Sequence, residues 1–167
     1  NKAANLQIRE LKKIKQVFNN SFVKAIELIM NCKGKVIFSG VGKNSFVCKK
    51  SAATFSSVGI PSFFVDPTGV SHGDAGQIEK KDILIIISNS GNTNELTNLL
   101  KFANRFRIKI IGIASNPNSN LIKASDIKII YPKLQESDLN NIVPTTSTSF
   151  VMLFCDCLAT TIMKKRK

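Results

Sequence analysis

Residues 83–95 read ILIIISNSGNTNE, and the first five of them, Ile83 to Ile87, are all aliphatic. Such a run is typical of a strand that is buried on both faces, as in the middle of a parallel sheet. Small and polar residues fill positions 88–93, and Glu95 then begins an apolar pattern at helical spacing. The stretch therefore predicts a central strand, a hydroxyl-rich turn and a helix.

The predicted turn has the composition of an anion-binding site. The free N–H groups of a first helical turn and the helix dipole both attract a small anion. Ser88, Ser90 and Thr93 would add hydroxyl groups, and Gly91 would let the backbone approach closely. Because the turn has one glycine and no lysine, it matches neither a Walker loop nor a dinucleotide-binding fingerprint. We expect it to bind a single phosphomonoester, with an ordinary helix cap as the alternative.

The rest of the chain alternates strand patterns with helix patterns. Further strands are predicted at residues 35–39, 62–65, 109–114 and 126–131. This alternation predicts a parallel sheet with helices on both faces, of the α/β class. Residues 1–33 carry an amphipathic pattern of one or two helices ended by Gly34, and we expect this segment to pack on a single domain at 34–167. The turns that follow the first three strands should converge beyond the carboxyl ends of those strands.

Composition and charge exclude several classes of protein. The chain has 167 residues, with 43% hydrophobic content and a net charge of +13. Because much of the charge lies at the two ends and aromatic residues do not interleave with it, we expect solvated tails rather than a nucleic-acid surface. Four cysteines without metal-ligand spacing predict a reducing, cytoplasmic environment and no metal site. The apolar stretch Phe150 to Met163 predicts a buried helix capped by residues 144–149, and no membrane partner is expected.

Four motifs, in this order and spacing, resemble those of the sugar isomerase (SIS) domain. They are Gly40–Lys43, His72–Asp74, Ser88–Glu95 and Pro144–Thr148. Within that family the chain looks closest to the arabinose 5-phosphate isomerases, over about residues 34–163. The resemblance implies a three-layer α/β/α sandwich with a five-stranded parallel sheet of the flavodoxin-like type. It also implies no cofactor, and a homo-oligomer, either a dimer or a tetramer, whose subunits share active sites.

The same resemblance implies an activity and a set of ligand-binding residues. The activity is the reversible conversion of D-arabinose 5-phosphate into D-ribulose 5-phosphate, which feeds the synthesis of Kdo for lipopolysaccharide. The small-molecule partner is then a sugar phosphate. Its phosphate group would be bound by residues of the first strand, the central turn and the last helix: Ser39, Ser88, Asn89, Ser90, Thr93, Ser147 and Thr148.

The resemblance also places catalytic or substrate-contacting roles on Lys43, His72, Glu95 and Glu136. Moving a carbonyl group between C1 and C2 needs a base and a group that stabilises the enediolate. We favour Glu136 as the base, with Glu95 as the competitor. Lys43 would contact the oxyanion or the sugar hydroxyls, and His72 would open the sugar ring or shuttle protons. Each of the four also has an ordinary structural interpretation, such as a helix-capping residue for Glu95 or a solvated loop carboxylate for Glu136.

Several departures from the family pattern leave alternatives open. The chain stops at Lys167, before the His-Pro-Gly-Gly segment and the pair of CBS domains that are usual in the family, so an excised domain is expected as readily as a whole product. Asn92 stands where a glutamate is common, and the loop at 135–143 differs from the usual Cys-Pro-Leu-Gly stretch. The alternatives are a SIS module that senses a sugar phosphate without turnover and an isomerase of another sugar phosphate.

Overall fold

The structure of the chain is a computed structural model that describes residues 1–166. Within this range the strands are β1 (Val36–Gly40), β2 (Ser62–Phe64), β3 (Ile83–Ile87), β4 (Lys109–Ala114) and β5 (Ile127–Ile130). They form one sheet in the order β2-β1-β3-β4-β5, and every neighbouring pair is parallel. The predicted five-stranded parallel sheet of flavodoxin-like order is therefore confirmed. Lys167, the last residue of the predicted domain, lies outside the described residues.

The helices follow the strands as expected for crossover connections. They are α1 (Lys2–Leu11), α2 (Asn20–Met30), α3 (Lys43–Ser57), α4 (Thr97–Phe106), α5 (Asn120–Ala124) and α6 (Thr146–Lys165). Short 3-10 helices lie at Lys12–Val17, Gly69–His72, Asp74–Gln77 and Asn94–Leu96. The sheet carries α2, α3 and α6 on one face and α4 and α5 on the other, which confirms the three-layer sandwich.

The helical pattern before β1 is broken, and it does not end where the sequence suggested. The 3-10 helix at Lys12–Val17 separates α1 from α2. Asn19 caps α2, because its side chain accepts a hydrogen bond from the amide of Ser21. The last helical residue is Met30, so the expectation that Gly34 ends the helix is wrong. A Cβ atom at Gly34 would lie 2.2 Å from Asp82 Oδ1. Glycine is needed there because the chain passes close to that carboxylate.

Alternate residues of the central strands fill two hydrophobic cores. Phe38 and Ile85 point into the core against α2, α3 and α6, whereas Leu84 and Ile86 point into the core against α4 and α5. The side chains of β3 are 0–3% exposed along its whole length. Each buried aliphatic side chain contributes roughly 1.5–3 kcal/mol. The continuous aliphatic run is thus explained by two-sided burial.

The order of the strands creates a crevice where a ligand is expected. β1 and β3 are neighbours, with Gly40 paired to Ile87, but the helices that follow them lie on opposite faces of the sheet. Ligands of open α/β sheets bind at such a switch point, beyond the carboxyl ends of the strands. The turns that follow β1 and β3 therefore lie side by side at the place where the sequence analysis expects the phosphate.

The last helix is part of the core. Among residues 1–166, α6 is the one helix that is long and apolar enough to cross a membrane by length and composition alone. Half of its most apolar window is buried inside the protein, and core helices pass the same test. Phe150, Phe154 and Leu158 are at most 1% exposed and pack on the sheet. This packing agrees with the buried helix that the sequence predicts.

Candidate functional site

The turn after β3 is shaped by hydrogen bonds among its own residues. Ser88 Oγ lies 2.8 Å from Thr93 Oγ1 and accepts a hydrogen bond from the amide of Gly91 at 3.0 Å. Ser90 Oγ accepts a bond from the amide of Asn92 at 3.2 Å. Gly91 has a φ of +67°, and a Cβ atom there would lie 2.1 Å from Ser119 Oγ. We call residues 88–93 the phosphate turn, and its shape requires glycine at position 91.

Asn89 is held in place by a residue that the sequence analysis missed. The hydroxyl of Tyr131 donates to Asn89 Oδ1 at 2.9 Å, and the main-chain oxygen of Asn89 accepts bonds from the amide and hydroxyl of Ser115. Because Oδ1 is occupied, the Asn89 amide group is left to donate its N–H bonds elsewhere. The only signal in the sequence was a lone tyrosine directly after β5.

Tyr131 is suited to act as a fixed donor. It is 2% exposed, and its ring packs on Phe150 of α6 with the centroids 5.4 Å apart. Burial, followed by the negative charge of Glu136, raises the pKa of Tyr131 above its ordinary value. The hydroxyl therefore stays protonated at neutral pH and keeps donating to Asn89.

Glu136 is buried and caps α6. Its exposed fraction is 7%, which contradicts the interpretation of a solvated loop carboxylate. Its Oε2 atom accepts bonds from the amides of Thr145 at 2.9 Å, Thr146 at 2.7 Å and Ser147 at 3.2 Å, and from the Thr145 hydroxyl at 3.1 Å. The N-cap residue is Thr145, within the predicted capping stretch 144–149, but its side chain makes no cap bond, and the Glu136 carboxylate accepts the bonds of the first amides instead. A carboxylate fits this place because the first amides of a helix lack partners and carry partial positive charge.

This environment keeps Glu136 ionised. Burial alone would raise its pKa, but hydrogen bonds from the Ser147 hydroxyl and from the Thr145 and Ser147 amides outweigh burial and hold that pKa below its ordinary value. Stabilisation of the charged form by several donors is the usual cause of such a shift. The group is therefore a carboxylate, able to accept a proton, throughout the neutral range.

The loop that carries Glu136 is irregular but well ordered by its own polar groups. The amide of Glu136 donates to Asn141 Oδ1, and Asn141 itself has a φ of +56°. The carboxylate of Asp138 accepts bonds from the amides of Asn140, Ile142 and Val143. We call residues 135–145 the Glu136 loop. The hydrogen bonds within this loop, all made by groups of the same chain, hold Glu136 in position.

A cavity of about 520 Å³ lies between the phosphate turn and the Glu136 loop. Asn89 and Glu136 both line it, together with Asn116, Lys133 and Asn141. Donors and one cation thus share this space with the buried carboxylate. Such a cavity is large enough for a small polar ligand.

The other three predicted catalytic residues lie on exposed turns. Lys43 is the first residue of α3, His72 ends the 3-10 helix before Gly73, and Glu95 lies in the 3-10 helix before α4. All three are exposed. Among residues 1–166, no hydrogen bond or ion pair joins any two of Lys43, His72, Glu95 and Glu136. None of the first three lines the cavity that Glu136 lines.

One contact links two of the exposed turns. Asn98 Nδ2, one helical turn after Glu95, donates to Ser71 Oγ at 2.8 Å. Because Ser71 precedes His72, this bond ties the turn of His72 to the start of α4. The structure thus ties the turn of His72 to the helix that begins just after Glu95, whereas Glu136 lines a cavity with Asn89 of the phosphate turn.

The remaining predicted phosphate residues differ in their surroundings. Ser39 is fully buried in β1, and its hydroxyl has no hydrogen-bond partner among the described residues. Ser147 is 5% exposed beside Glu136, and the Thr148 hydroxyl donates to the main-chain oxygen of Thr145 at 2.9 Å. Thr146, which the sequence analysis did not single out, is also fully buried with an unpartnered hydroxyl. Within residues 1–166, no three His, Cys, Asp or Glu residues are grouped closely enough to hold a metal ion.

The parallel sheet, the switch-point crevice and the hydroxyl-rich turn define a class of anion-binding α/β domains. The chain belongs to the SIS domain family, whose model matches residues 28–161. The predicted membership is therefore confirmed.

The chain is similar to known arabinose 5-phosphate isomerases. The chain is 42% identical over 153 residues to the Escherichia coli arabinose 5-phosphate isomerase KpsF, covering 92% of this chain and 48% of that protein. It is 42% identical over 156 residues to the Yersinia pestis arabinose 5-phosphate isomerase KdsD, covering 93% of this chain and 48% of that protein. The chain thus spans about half the length of the curated relatives it matches. An E. coli CFT073 protein solved in complex with arabinose 5-phosphate superposes with a TM-score of 0.89 at 33% identity, covering 98% of this chain and 89% of that one.

Proposed function

We propose that the chain is the isomerase domain of an aldose–ketose isomerase that interconverts D-arabinose 5-phosphate and D-ribulose 5-phosphate. The observation that carries the proposal is the shared cavity of Asn89 and Glu136, where a buried carboxylate faces the same space as the phosphate turn. Two relatives at 42% identity that are named arabinose 5-phosphate isomerases support the choice of substrate. So does the superposition on a protein in complex with arabinose 5-phosphate.

The phosphate turn would hold the substrate by its phosphate group. The hydroxyls of Ser88, Ser90 and Thr93 would exchange their bonds within the turn for bonds to phosphate oxygens. The amide group of Asn89 would donate to the same anion, because its oxygen is occupied by Tyr131. Ser39, Ser147 and Thr148 complete the proposed phosphate-binding set. A single phosphate held in this way anchors the sugar while its C1–C2 end extends away from the turn.

Glu136 would act as the general base. Four hydrogen bonds from residues 145–147 converge on its Oε2 atom, and we assign the proton transfer to Oε1, which accepts none of these four. In the proposed reaction Oε1 removes the proton from C2 of the aldose and returns it to C1, through an enediolate. The amide bonds to Oε2 fix the carboxylate so that little reorganisation is needed during transfer.

The exposed residues would complete the reaction from the opposite side. Lys43 would stabilise the developing oxyanion or bind sugar hydroxyls, and His72 would assist ring opening. Glu95 remains the competing base. Because these three side chains are exposed and do not reach the cavity of Glu136, substrate or a second subunit must bring the two sides together.

We propose a homo-oligomer, dimer or tetramer, with shared active sites. Large apolar side chains are exposed to solvent near Lys43 and in the Glu136 loop. Phe46, three residues after Lys43, is 69% exposed. Leu139 is fully exposed and Ile142 is 72% exposed in the Glu136 loop. Such side chains favour burial against another protein surface. A cytoplasmic location and a role in supplying lipopolysaccharide sugars complete the proposal.

Turnover of a panel of sugars by the chain tests the proposed function. We expect conversion of D-arabinose 5-phosphate into D-ribulose 5-phosphate, followed by NMR, and no conversion of unphosphorylated D-arabinose. Faster turnover of a hexulose or heptose phosphate would assign another substrate. A thermal shift with sugar phosphate but no turnover of any compound would make the chain a binding module.

A further inference from the structure

A second buried carboxylate, Glu10 in α1, has no part in the proposed reaction. It is 3% exposed, and it accepts bonds from Lys13 Nζ at 2.6 Å and from Arg9 Nε at 3.4 Å. Its Oε2 atom also accepts a bond from the amide of Gln135 at 3.2 Å. Gln135 is the residue directly before Glu136, so α1 contacts the Glu136 loop at its base.

Other side chains of α1 bind the same loop. Arg9 Nη2 donates to Gln135 Oε1 at 3.1 Å, and Gln7 Nε2 donates to Ser137 Oγ at 3.1 Å. The residues on both sides of Glu136 are therefore held by one helix. This helix lies before residue 28, where the match to the family model begins.

A chain of hydrogen bonds continues from α1 to the Glu136 carboxylate. Gln7 donates to the hydroxyl of Ser137, which donates to Thr145 Oγ1 at 2.9 Å. The Thr145 hydroxyl in turn donates to Glu136 Oε2 at 3.1 Å. Each hydroxyl accepts from one neighbour and donates to the next, so the direction of these bonds is consistent along the whole chain.

The charge on Glu10 has a structural reason. A buried carboxylate is unfavourable unless it is paired and hydrogen-bonded, and Lys13 and Arg9 provide the opposite charge. The hydrogen bond from Lys13, and then those from the Gln135 amide and Arg9, outweigh burial and hold the pKa of Glu10 below its ordinary value. Without the carboxylate, the amide of Gln135 loses its acceptor.

We propose that α1 braces the Glu136 loop and that Glu10 is a positioning residue for Glu136. The proposal rests on the proposed function, in which Glu136 takes the substrate proton. Glu10 contacts Gln135 and not the cavity, so it acts only through the position of its neighbour. Loss of the brace lets the loop shift, which weakens the alignment of Glu136 with the substrate.

Kinetics of Glu10→Ala and Glu10→Gln, with Glu27→Ala as the matched control, test the brace. Glu27 is an exposed glutamate on α2. We expect Glu10→Ala to lower kcat by about 10- to 100-fold, because small misplacements of a reacting group have effects of this size. KM should change little, and the acidic limb of the kcat/KM profile should move to higher pH as Glu136 loses donors. Glu10→Gln keeps an acceptor for the Gln135 amide and should recover most of the activity.

Hydrogen exchange of the amides of Thr145, Thr146 and Ser147 gives a readout that does not depend on turnover. Glu10→Ala should speed their exchange, and Gln7→Ala, at a partly exposed position, should do so to a smaller extent while the protein stays folded. Unchanged exchange in both variants, or an unchanged pH profile in an active Glu10→Ala protein, would overturn the brace. If the parent protein turns over no sugar phosphate but Glu10→Ala still exchanges these amides faster than the parent does, the brace is supported and the isomerase is rejected.

Discussion

The candidate site has two halves that differ in how they are held. Glu136 is buried, and its carboxylate accepts four hydrogen bonds from the start of α6. Lys43, His72 and Glu95 are exposed, and their side chains form no hydrogen bond with any described residue. We call Glu136, Tyr131 and the phosphate turn the buried half, although Asn89, Ser90 and Asn92 of that turn are exposed. Lys43, His72 and Glu95 form the exposed half. The geometry of the buried half is complete within one chain, whereas that of the exposed half depends on what binds there.

Because of this difference, we expect substitutions in the two halves to affect protein stability and activity differently. Changes in the buried half remove packing or leave buried polar groups without partners, so they should alter both folding and function. Changes in the exposed half remove only side chains that contact water in the free protein. They should alter function while the free energy of unfolding stays within about 0.5 kcal/mol of the parent value.

The largest effect on both properties is expected for Gly91→Ala. The new Cβ would lie 2.1 Å from Ser119 Oγ at a φ of +67°, so the phosphate turn must distort. We expect a loss of roughly 2–3 kcal/mol in the free energy of unfolding, measured with urea, and loss of sugar-phosphate binding.

Gly76→Ala is the control for that substitution, because a Cβ atom there meets nothing within 4 Å. It should leave both stability and binding unchanged. Normal binding by Gly91→Ala would show that the phosphate turn tolerates a shift and does not define the anion site.

Alanine substitutions in the exposed half should give the opposite pattern. We expect Lys43→Ala and His72→Ala to lower kcat/KM by about 100-fold, as for loss of one stabilising or proton-transfer group. Melting temperatures should not change, since neither side chain makes a hydrogen bond or ion pair within residues 1–166. If either variant unfolds at lower temperature with normal kinetics, that residue has a structural role and the division between the halves fails.

A smaller effect is expected for Tyr131→Phe. This change removes the hydroxyl that donates to Asn89 but keeps the ring that packs on Phe150. A typical hydrogen bond contributes about 1 kcal/mol, so KM for the sugar phosphate should rise about fivefold while kcat stays near the parent value. Equal KM values for parent and variant would show that the Asn89 amide does not contact the substrate.

The smallest effect should appear as a dependence of stability on acid pH. The pKa of Glu136 and that of Asp138 lie below their ordinary values in the folded protein. The folded state therefore binds fewer protons than the unfolded chain, and the contribution of the two carboxylates is complete above a pH of about 4.3. It is lost as the pH falls through the lower pKa values of the folded state. Thermal melts from neutral to acid pH should show this loss, and Glu136→Gln should reduce it.

The features that could be predicted from the sequence are those determined by residues close together in the chain. β3 was predicted with its observed bounds because five aliphatic residues in succession are typical of a strand that is buried on both faces. The hydroxyl-rich composition of the phosphate turn was also local information. The sequence analysis allowed one or two helices before β1 but did not place the break between α1 and α2, although Asn19 followed by a helical pattern was a usable N-cap signal.

The surroundings of Glu136 could not be predicted in this way. Its donors come from residues nine to eleven positions later in the chain, and the contact of Glu10 with Gln135 spans 125 positions. The periodicity of the sequence does not predict such bonds, because they form only when the Glu136 loop packs against the start of α6 and α1 packs beside it. Local composition indicated a solvated carboxylate, and tertiary contacts made it a buried one.

Comparison of Glu136→Gln with Glu95→Gln tests most directly whether the buried carboxylate is the base. Both changes remove one negative charge with little change in shape, and Glu27→Gln controls for charge on an exposed surface. Turnover of D-arabinose 5-phosphate should fall by at least about 100-fold in Glu136→Gln, with binding of the sugar phosphate retained, as expected when a general base is removed. Glu95→Gln should keep measurable turnover. Parent-like turnover by Glu136→Gln, or its complete loss in Glu95→Gln alone, would move the base to the exposed half.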